Sequence, residues 1–580
     1  MSTSKHIDII CIAALLCTLL LTGLFMNGRA LGVAVTGGGD GRFTADDLDG
    51  DWDAAAAARI TLTGGGGYVQ GGGAYIRDGG VHILSAGRYV LSGELTGGSV
   101  IVDAGRDDRI WLLLDGVSLH CGDSAAIIVE QAKKVFLTLA DGTENVISCG
   151  ASYSEGAVSA KIDGAIYSRD DLTINGGGSL RVTAPYKHGI VCNDSLVIAG
   201  GAISITAAQD GVHANDSVKF ANAALTVNAG DDGITVSNDD ETASLYIESG
   251  TISIPSCYEG LEAVDITIAG GVIDIRPTDD GINANGRGGS SVIRITGGDI
   301  TIINETGRDA DGLDSNGSID ISGGNIFISV NTSSCALDYG SENGGVCRIS
   351  GGTVVAAGGS AMAEGFDSSS EQCFIMYNTS AYAAGAAVTL KNEAGTTLVS
   401  ETIPCGFSSI VVSTPELRLG ETCTIMIGDN SAEVTVDNSS GSNGDRMGGM
   451  FGGGMQGGFS GGRGGGFPDR DGPQMPDGGV PDGGEPQIPD GSGFPDGGRP
   501  QIPDGGAFPD GGRPQMPNGG FTDDGGRDGS RFPQWGQEQD RTQDGAQSGA
   551  AAVPPDTLIL VGVSVLFLLA GILIAFKVRH

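Results

Sequence analysis

The sequence predicts an all-β protein whose body is a parallel β-helix. Between Ile162 and Gly359 one pattern returns about every 22 residues: an acidic residue followed by glycine, a short apolar strand, a Gly-Gly step and a second short strand. Clear copies are GIVCNDSLVIAGGAISITAAQD at 189–210 and GLEAVDITIAGGVIDIRPTDD at 260–280. A repeat of this length indicates a solenoid, because one unit cannot bury its apolar face and neighbouring units must stack.

The spacing within the repeats identifies the stacked units as strands. Leu196 and Ile198, followed by Ile203 and Ile205, recur at a period of two, which is typical of a β-strand and not of a helix. The Gly-Gly steps stand at 176–177, 200–201, 270–271, 297–298, 323–324 and 351–352, and Asn222-Ala223 replaces one of them. Glycine, and after it asparagine, tolerates positive φ, so these steps are predicted to be structural corners.

The predicted β-helix spans residues 68–370. Its first part, residues 68–150, has less regular strands, and a separate β-sandwich is the alternative for that part. Residues 35–67 are rich in glycine, alanine and aspartate and are predicted to form a loose lead-in. Residues 371–437 contain longer alternating strands, which predict a small β-module that caps the open end of the solenoid.

The two ends of the chain carry apolar segments. Residues 1–34 have the features of a secretory signal peptide, with an uncleaved signal anchor as the alternative. Residues 438–555, dominated by Gly, Pro, Asp and Gln with recurrent PDGG, predict a disordered stalk. Residues 556–576 predict a single transmembrane helix, and the basic residues at 577–580 predict a cytoplasmic tail. The protein is therefore expected on the extracellular face of the cell membrane.

The composition limits the possible partners. The chain has 71 acidic residues against 32 Lys and Arg, which gives a formal net charge of −39. Such a surface argues against nucleic acid and favours cations, or anions bridged by cations, as partners. Neither a CxxC motif nor a local Cys/His ligand spacing occurs, so the sequence does not indicate a zinc site. The protein is expected to be a monomer.

Acidic residues recur at the corner that precedes the first strand of successive repeats. Equivalent corners of stacked coils lie about 4.8 Å apart, and carboxylates at that spacing repel one another unless a cation lies between them. Calcium prefers oxygen ligands from Asp, Glu and carbonyl groups. The candidate ligands are Asp210, Asp231, Asp232, Glu259, Glu262, Asp279, Asp280, Asp311 and Asp314, with Asn215, Asn283 and Asn285 expected at the same edge. The alternative is that Asp-Gly is only a favourable turn dipeptide whose carboxylate faces solvent.

Several stretches make the similarity to a known family specific. These are GRYVLSGEL, IWLLLDGVSL, DADGLDSNGSIDISGGNIFIS at 309–329 and ALDYGSENGGVCRISGGTVVAAGGSAMAEGFDSSSEQ at 336–372. Over residues 75–430 the chain resembles bacterial secreted β-helix proteins described as carbohydrate-binding, with cellulose and pectin-type acidic sugars as ligands. The resemblance implies a right-handed parallel β-helix like that of pectate lyases, bound calcium and no established catalysis. It also extends the candidate ligands from Asp311 and Asp314 to Asp338.

Together these features predict a calcium-dependent, non-catalytic polysaccharide-binding protein at the cell surface, with cellulose or a polyuronate as the ligand. Tyrosines that could stack on sugar rings are Tyr167, Tyr186, Tyr246, Tyr258 and Tyr339, although core or edge packing is the favoured interpretation for any single one. One alternative is a calcium-dependent polysaccharide lyase, with Arg276, Arg294 or Arg308 as the base. Another is a surface adhesin that uses the solenoid as a scaffold.

Overall fold

The computed structural model describes residues 42–308 and 310–438 of the 580-residue chain. The predicted signal peptide, stalk, transmembrane helix and cytoplasmic tail lie outside the described residues. Within 42–308 and 310–438, no helix is both long enough and apolar enough to cross a membrane.

Three ladders of short strands form the body of the protein, and each complete coil contributes one strand to each ladder. The first ladder contains Ala74–Arg77, Gly80–Ile83, Val100–Asp103, Ile127–Gln131, Gly164–Ser168, His188–Cys192, Val212–Ala214, Ile234–Val236, Leu261–Ala263, Ile282–Ala284, Leu313–Ser315 and Leu337–Tyr339. All of its pairings are parallel except the first, which is an antiparallel hairpin. The body is therefore a parallel β-solenoid of about ten turns, as predicted, and its right-handedness stays a prediction.

The second and third ladders belong to one larger sheet. The second contains Ala58–Gly64, Gly87–Thr96, Arg109–Cys121, Lys134–Leu139, Asp171–Gly176, Ser195–Ile198, Ser217–Phe220, Ser244–Ile247, Asp265–Ile268, Val292–Ile295, Ser318–Ile321 and Cys347–Ile349. The third contains Glu144–Cys149, Ser179–Ala184, Ala202–Ala207, Ala224–Ala229, Thr251–Cys257, Val272–Pro277, Asp299–Asn304, Asn325–Val330 and Thr353–Gly358. The first strand of the second ladder also forms a hairpin with Gly67–Gln70.

The less regular first part of the solenoid is continuous with the repeats. Arg109–Cys121 pairs in parallel with Lys134–Leu139, which pairs in parallel with Asp171–Gly176. Residues 68–150 therefore supply the first coils and do not form a separate β-sandwich. The described part of the predicted loose lead-in also packs on the solenoid: Lys134 Nζ lies 2.7 Å from the Asp47 carboxylate, and Trp52 donates a 3.2 Å hydrogen bond to Thr138.

Aliphatic side chains stack inside the solenoid at equivalent positions of successive coils. Ile275, Ile302 and Ile328, for example, align in the third ladder and are each completely buried. One cluster of buried residues extends from Ile60 to Val411. Each coil therefore depends on its two neighbours to cover its apolar face, and β-branched side chains suit such pleated, buried surfaces.

Glycines serve two different purposes at the corners. Gly201 and Gly271 have φ of +85° and +95°, and Asn222 has φ of +56°, so the predicted left-handed corners are confirmed. The glycines that follow the corner acids of the repeats are different, because their φ is not in the left-handed region; they are Gly211, Gly233, Gly260, Gly281 and Gly312. A Cβ atom on Gly281 would lie 2.6 Å from the carbonyl oxygen of Gly312 in the next coil. A glycine is therefore needed at this position because the stacked coils approach each other closely. The interpretation of Asp-Gly as a simple turn dipeptide does not account for this contact.

The C-terminal β-module closes the third ladder. Phe407–Ser413 pairs antiparallel with Thr353–Gly358 on one side and with Phe374–Tyr382 on the other. A separate four-stranded sheet contains Thr397–Ile403, Ala386–Lys391, Thr422–Ile427 and Asn430–Thr435. The described helices are short: Ala45–Leu48 and Glu155–Ser159, with 3₁₀ turns at Ala54–Ala56, Arg287–Gly289 and Ser341–Asn343. The pairing covers the last strand of the third ladder, which would otherwise be an open edge.

Candidate cation-binding site

The register of the first ladder assembles two parallel columns of polar side chains. The residues Val212, Ile234, Leu261, Ile282, Leu313 and Leu337 are aligned across successive coils. The corner column, two residues before each of these, is Asp210, Asp232, Glu259, Asp280, Asp311 and Cys335. The strand column, one residue after each of these, is His213, Thr235, Glu262, Asn283, Asp314 and Asp338. Both columns follow the axis of the solenoid along the same edge.

Hydrogen bonds between coils fix the acids of the corner column. The Glu259 backbone N–H donates a 3.0 Å hydrogen bond to Oδ1 of Asp232, and the Asp311 N–H donates a 2.6 Å hydrogen bond to Oδ1 of Asp280. The second oxygen of Asp232 accepts from the Thr235 hydroxyl at 2.9 Å. These acids therefore have one oxygen committed to the stacking of the coils, and they are not simply exposed turn residues.

Most of the predicted calcium ligands come together along this edge. Ligand atoms lie within 4.8 Å of one another in the sets Asp210/Asp231/Asp232, Asp232/Glu259/Glu262, Glu259/Asp279/Asp280 and Asp311/Cys335/Asp338. The remaining candidate, Asp314, occupies the strand column between Asn283 and Asp338. The first three sets share Asp232 and Glu259, and the fourth follows one coil later, so the edge offers a row of carboxylates and not one isolated cluster.

Burial and mutual repulsion make these acids difficult to ionise. Burial, together with the charges of Glu262 and Asp232, raises the pKa of Glu259 to about 9. Burial and the neighbouring acids Asp314, Asp279 and Asp338 raise the pKa of Asp280 to about 7. The pKa values of Glu262 and Asp314 are also raised to about 7, chiefly by burial. A cation at this edge would remove the repulsion and keep the carboxylates ionised.

A buried amide oxygen that has no hydrogen-bond partner among the described residues lies between these carboxylates. Asn283 donates a 3.0 Å hydrogen bond from Nδ2 to the Glu259 carboxylate, whereas its Oδ1 is buried and accepts no hydrogen bond from the described residues. Leaving a buried polar atom unsatisfied is costly. An amide oxygen beside several carboxylates is a typical part of a calcium ligand set. The residues present therefore fit the ion that the sequence predicted.

Three polar residues of the two columns are absent from the predicted ligand set. His213 and Thr235 occupy the strand column, and Cys335 occupies the corner column. His188 lies one coil earlier, and its Nδ1 atom is 3.1 Å from Oδ2 of Asp210. A full alignment of the repeats would have placed these residues in the columns, since His188 precedes Asp210 by one repeat length. The acidic pattern by itself does not indicate them, because none of them is a carboxylic acid.

The five candidate tyrosines lie in different environments. Tyr167 is only 1% exposed and therefore presents no ring face to a sugar. Tyr186 stacks on Tyr153 with ring centroids 4.3 Å apart, and Tyr246 is covered by the Arg42 guanidinium at 4.0 Å. Tyr339 packs against the core. Tyr258 is 49% exposed beside Asp279, so it is the candidate best placed to meet a ligand at the acidic edge.

The raised pKa values predict how the metal-free protein responds to pH. An acid whose pKa is raised in the folded state stabilises the fold fully when the pH is below its ordinary pKa. It loses that contribution as the pH rises through its folded-state pKa. For Asp280 these two pKa values are 3.8 and about 7, and for Glu259 they are 4.5 and about 9. We therefore expect the melting temperature without metal to fall between about pH 5 and about pH 9. Thermal melts across this range measure it, and Glu259→Gln should reduce the slope. A melting temperature that rises steadily over this range would contradict the burial of these acids.

The fold and this edge define a class of protein: a parallel β-solenoid with a row of partly buried carboxylates suited to divalent cations. Residues 77–338 match the model of a family described as "Carbohydrate-binding domain-containing protein". The resemblance noted in the sequence is thus confirmed for most of the solenoid.

Two relatives extend the comparison. A protein of Acetivibrio thermocellus with the same description is 40% identical over 117 residues, which are 20% of this chain and 41% of that protein. A solved structure titled as the polysaccharide lyase-like protein from C. thermocellum, in a gadolinium derivative, is 32% identical. That comparison covers 44% of this chain and 94% of the solved chain, with a TM-score of 0.37. The match to the A. thermocellus protein thus spans less than half of that protein's length.

Proposed function

We propose that this protein binds an acidic polysaccharide, such as polygalacturonate, through calcium ions held along the corner and strand columns. The observation that carries the proposal is the row of carboxylates with raised pKa values around the unpartnered oxygen of Asn283. The match of residues 77–338 to a carbohydrate-binding family supports the ligand class.

The charge of the chain makes the cation necessary for this function. A protein with a formal net charge of −39 repels a polyuronate. Calcium ions between Glu259, Asp280 and Asp314 would offer positive centres to sugar carboxylates, because calcium accepts ligands from more than one molecule in its large coordination shell. The repeat of the first ladder, about 4.8 Å per coil, gives an extended polymer several such centres along one line.

Two of the three basic residues considered for a lyase, Arg276 and Arg294, lie away from this edge. Arg276 lies in the third ladder and pairs with Asp274 at 3.2 Å. Arg294 lies in the second ladder, 3.6 Å from the Asp265 carboxylate. Because a general base must reach the proton that it removes, these two arginines give no support to catalysis at the columns, and the proposal is for binding without cleavage.

Retention on immobilised polygalacturonate tests this function. We expect the full chain to be retained in calcium and released by a chelator, with the polymer left intact. Asp280→Asn combined with Asp314→Asn should abolish retention, since it removes two ligand charges. Asp274→Asn combined with Asp299→Asn, which makes the same charge change in the third ladder, should leave retention unchanged.

The same assay separates the alternatives. Retention that survives chelation would contradict calcium bridging, and retention on cellulose but not on polygalacturonate would reassign the ligand. Formation of unsaturated uronate products during incubation would show that the protein is a lyase. Failure to retain any polysaccharide would favour the adhesin.

We also propose that the protein is anchored in the membrane by its C-terminal apolar segment. Thr557 to Phe576 is a predominantly apolar stretch without a charged residue, about the length that crosses a bilayer, and Lys577 and Arg579 follow it. Deletion of residues 557–580 is expected to release the protein into the medium, as followed by immunoblotting of cell and medium fractions. A truncated protein that stays in the membrane fraction after high-salt washing would identify residues 1–34 as the anchor.

A further inference from the structure

Two histidines converge on one carboxylate at the N-terminal end of the corner column. His213 Nδ1 lies 2.8 Å from Asp210 Oδ2, and His188 Nδ1 lies 3.1 Å from the same oxygen. The imidazole rings are tilted to each other with centroids 5.0 Å apart. The three side chains are largely withdrawn from solvent, with 28%, 13% and 6% exposure for His213, His188 and Asp210. The fold thus brings two imidazoles and one carboxylate from two adjacent coils to one point.

The hydrogen bonds around this point bring acceptor atoms together in a way that suits a bound cation. The Asp210 backbone N–H donates a 3.3 Å hydrogen bond to His188 Nδ1, so this nitrogen carries a lone pair in that arrangement. The same nitrogen lies 3.1 Å from a carboxylate oxygen, which is also an acceptor. Two acceptors this close are unfavourable unless a proton or a metal ion lies between them. His213 adds a third potential ligand atom at the same place.

The orientation of Asp210 is fixed from outside the cluster. Its other oxygen, Oδ1, accepts a 3.3 Å hydrogen bond from the Asp232 backbone N–H of the next coil. This leaves Oδ2 directed at the two imidazoles. Outer contacts of this kind hold a ligand in a fixed orientation and improve its affinity for a metal. The backbone stacking of the solenoid therefore supports the site without any further side chain.

We propose that His188, Asp210 and His213 bind a divalent transition-metal ion of the zinc class. Imidazole nitrogen is a ligand for zinc, copper and nickel, whereas calcium takes oxygen ligands. The cluster therefore differs in chemistry from the all-oxygen sets that contain Asp232 and Glu259 further along the corner column. Three protein ligands leave a tetrahedral ion one open position for water or a bound ligand.

This inference does not depend on polysaccharide binding or on calcium. Asp210 is the last acid of the corner column toward the N-terminus, because the preceding positions of that column are His188 and Gly164. The edge would thus hold hard cations along the acidic coils and a transition metal where histidines replace them. The absence of a local Cys/His motif from the sequence does not argue against this site, since its ligands are supplied by stacked coils.

Titration of the metal-free full chain with Co²⁺ and Zn²⁺ tests the site. We expect Co²⁺ to produce visible ligand-field bands and hyperfine-shifted imidazole proton resonances, and stoichiometric Zn²⁺ to abolish both. Excess Ca²⁺ should not displace the cobalt. His188→Ala combined with His213→Ala should weaken zinc binding by more than about 100-fold, since loss of outer-shell partners alone costs about 10–100-fold.

Matched variants isolate the cluster. His120→Ala removes an imidazole whose Nδ1 instead contacts the Ser148 hydroxyl in an exposed position, and zinc affinity should be unchanged. Asp280→Asn combined with Asp314→Asn should also leave zinc affinity unchanged while abolishing retention on polygalacturonate. The wild-type cobalt spectrum gives a result even if the double histidine variant does not fold. Binding of cobalt without imidazole shifts, or no binding at all, would overturn the proposal and leave a hydrogen-bonded His–Asp–His cluster.

Discussion

Removal of calcium is expected to lower the melting temperature of the full chain substantially at neutral pH. A ligand that binds only the folded state stabilises it by about 2.7 kcal/mol per site at 100 times its dissociation constant. The corner and strand columns offer several overlapping carboxylate sets, so the effects of successive ions add to one another. Differential scanning calorimetry in calcium and in excess chelator, starting from protein with a measured metal content, provides the test.

A pair of substitutions separates calcium binding from general destabilisation. Asp280 and Asp314 have pKa values raised to about 7 by burial and by neighbouring acids, so their ionised forms repel each other when no metal is present. Asp280→Asn combined with Asp314→Asn is therefore expected to raise the melting temperature in chelator and to lose most of the gain on adding calcium. Identical melting curves for the wild-type protein with and without calcium would refute the calcium sites.

Substitution of Gly281 by alanine is expected to destabilise the solenoid by about 1–3 kcal/mol or more, the usual cost of forcing extra atoms into a packed interior. The new Cβ would lie 2.6 Å from the Gly312 carbonyl oxygen and 2.5 Å from Cγ2 of Ile302. Neither neighbour can withdraw easily, because one is backbone and the other is a buried core residue. The coils on both sides would have to separate, which would also disturb the corner column at Asp280 and Asp311.

Gly122→Ala is the matched control for this prediction. A Cβ on Gly122 would meet no atom within 4 Å, and Gly122 does not have the positive φ that disfavours alanine. Its free energy of unfolding should change by less than about 0.5 kcal/mol, as for most surface substitutions. Chemical denaturation of both variants measures the difference. Equal stabilities for Gly281→Ala and Gly122→Ala would mean that the stacked coils are more loosely packed than the structure shows.

Much of the fold could be predicted because the same sequence pattern recurs in many consecutive repeats. The period of about 22 residues and the alternation in Leu196, Ile198, Ile203 and Ile205 were sufficient for a stack of short strands. The Gly-Gly corners were predicted for the correct reason, since positive φ is a local property that glycine meets best. The glycines of the Asp-Gly steps were predicted without their reason, because a close approach to the next coil is not a local property.

The composition of the candidate site and its position along one edge could be predicted, but the contacts within it could not. The repeated acids indicate calcium, and the structure places them along one edge. The sequence pattern does not show that the Asn283 oxygen lacks a partner within 42–308 and 310–438, or that Glu259 is partly buried. Tyr167 is a possible sugar contact by sequence, but in the structure it is buried in the first ladder. Burial of an individual side chain depends on what packs over it, which the alternation of a single strand does not specify.

The sequence by itself determined the class of fold, the corner positions and the acidic character of one edge, because these depend on patterns within a single coil. Only the tertiary structure decided which residues meet between coils. The corner residues that bond to each other are separated by 22, 27, 31 or 24 residues, because the loops between strands differ in length. The register between coils therefore depends on the lengths of the loops that separate the strands. It is this register that brings His188 and His213 together at Asp210.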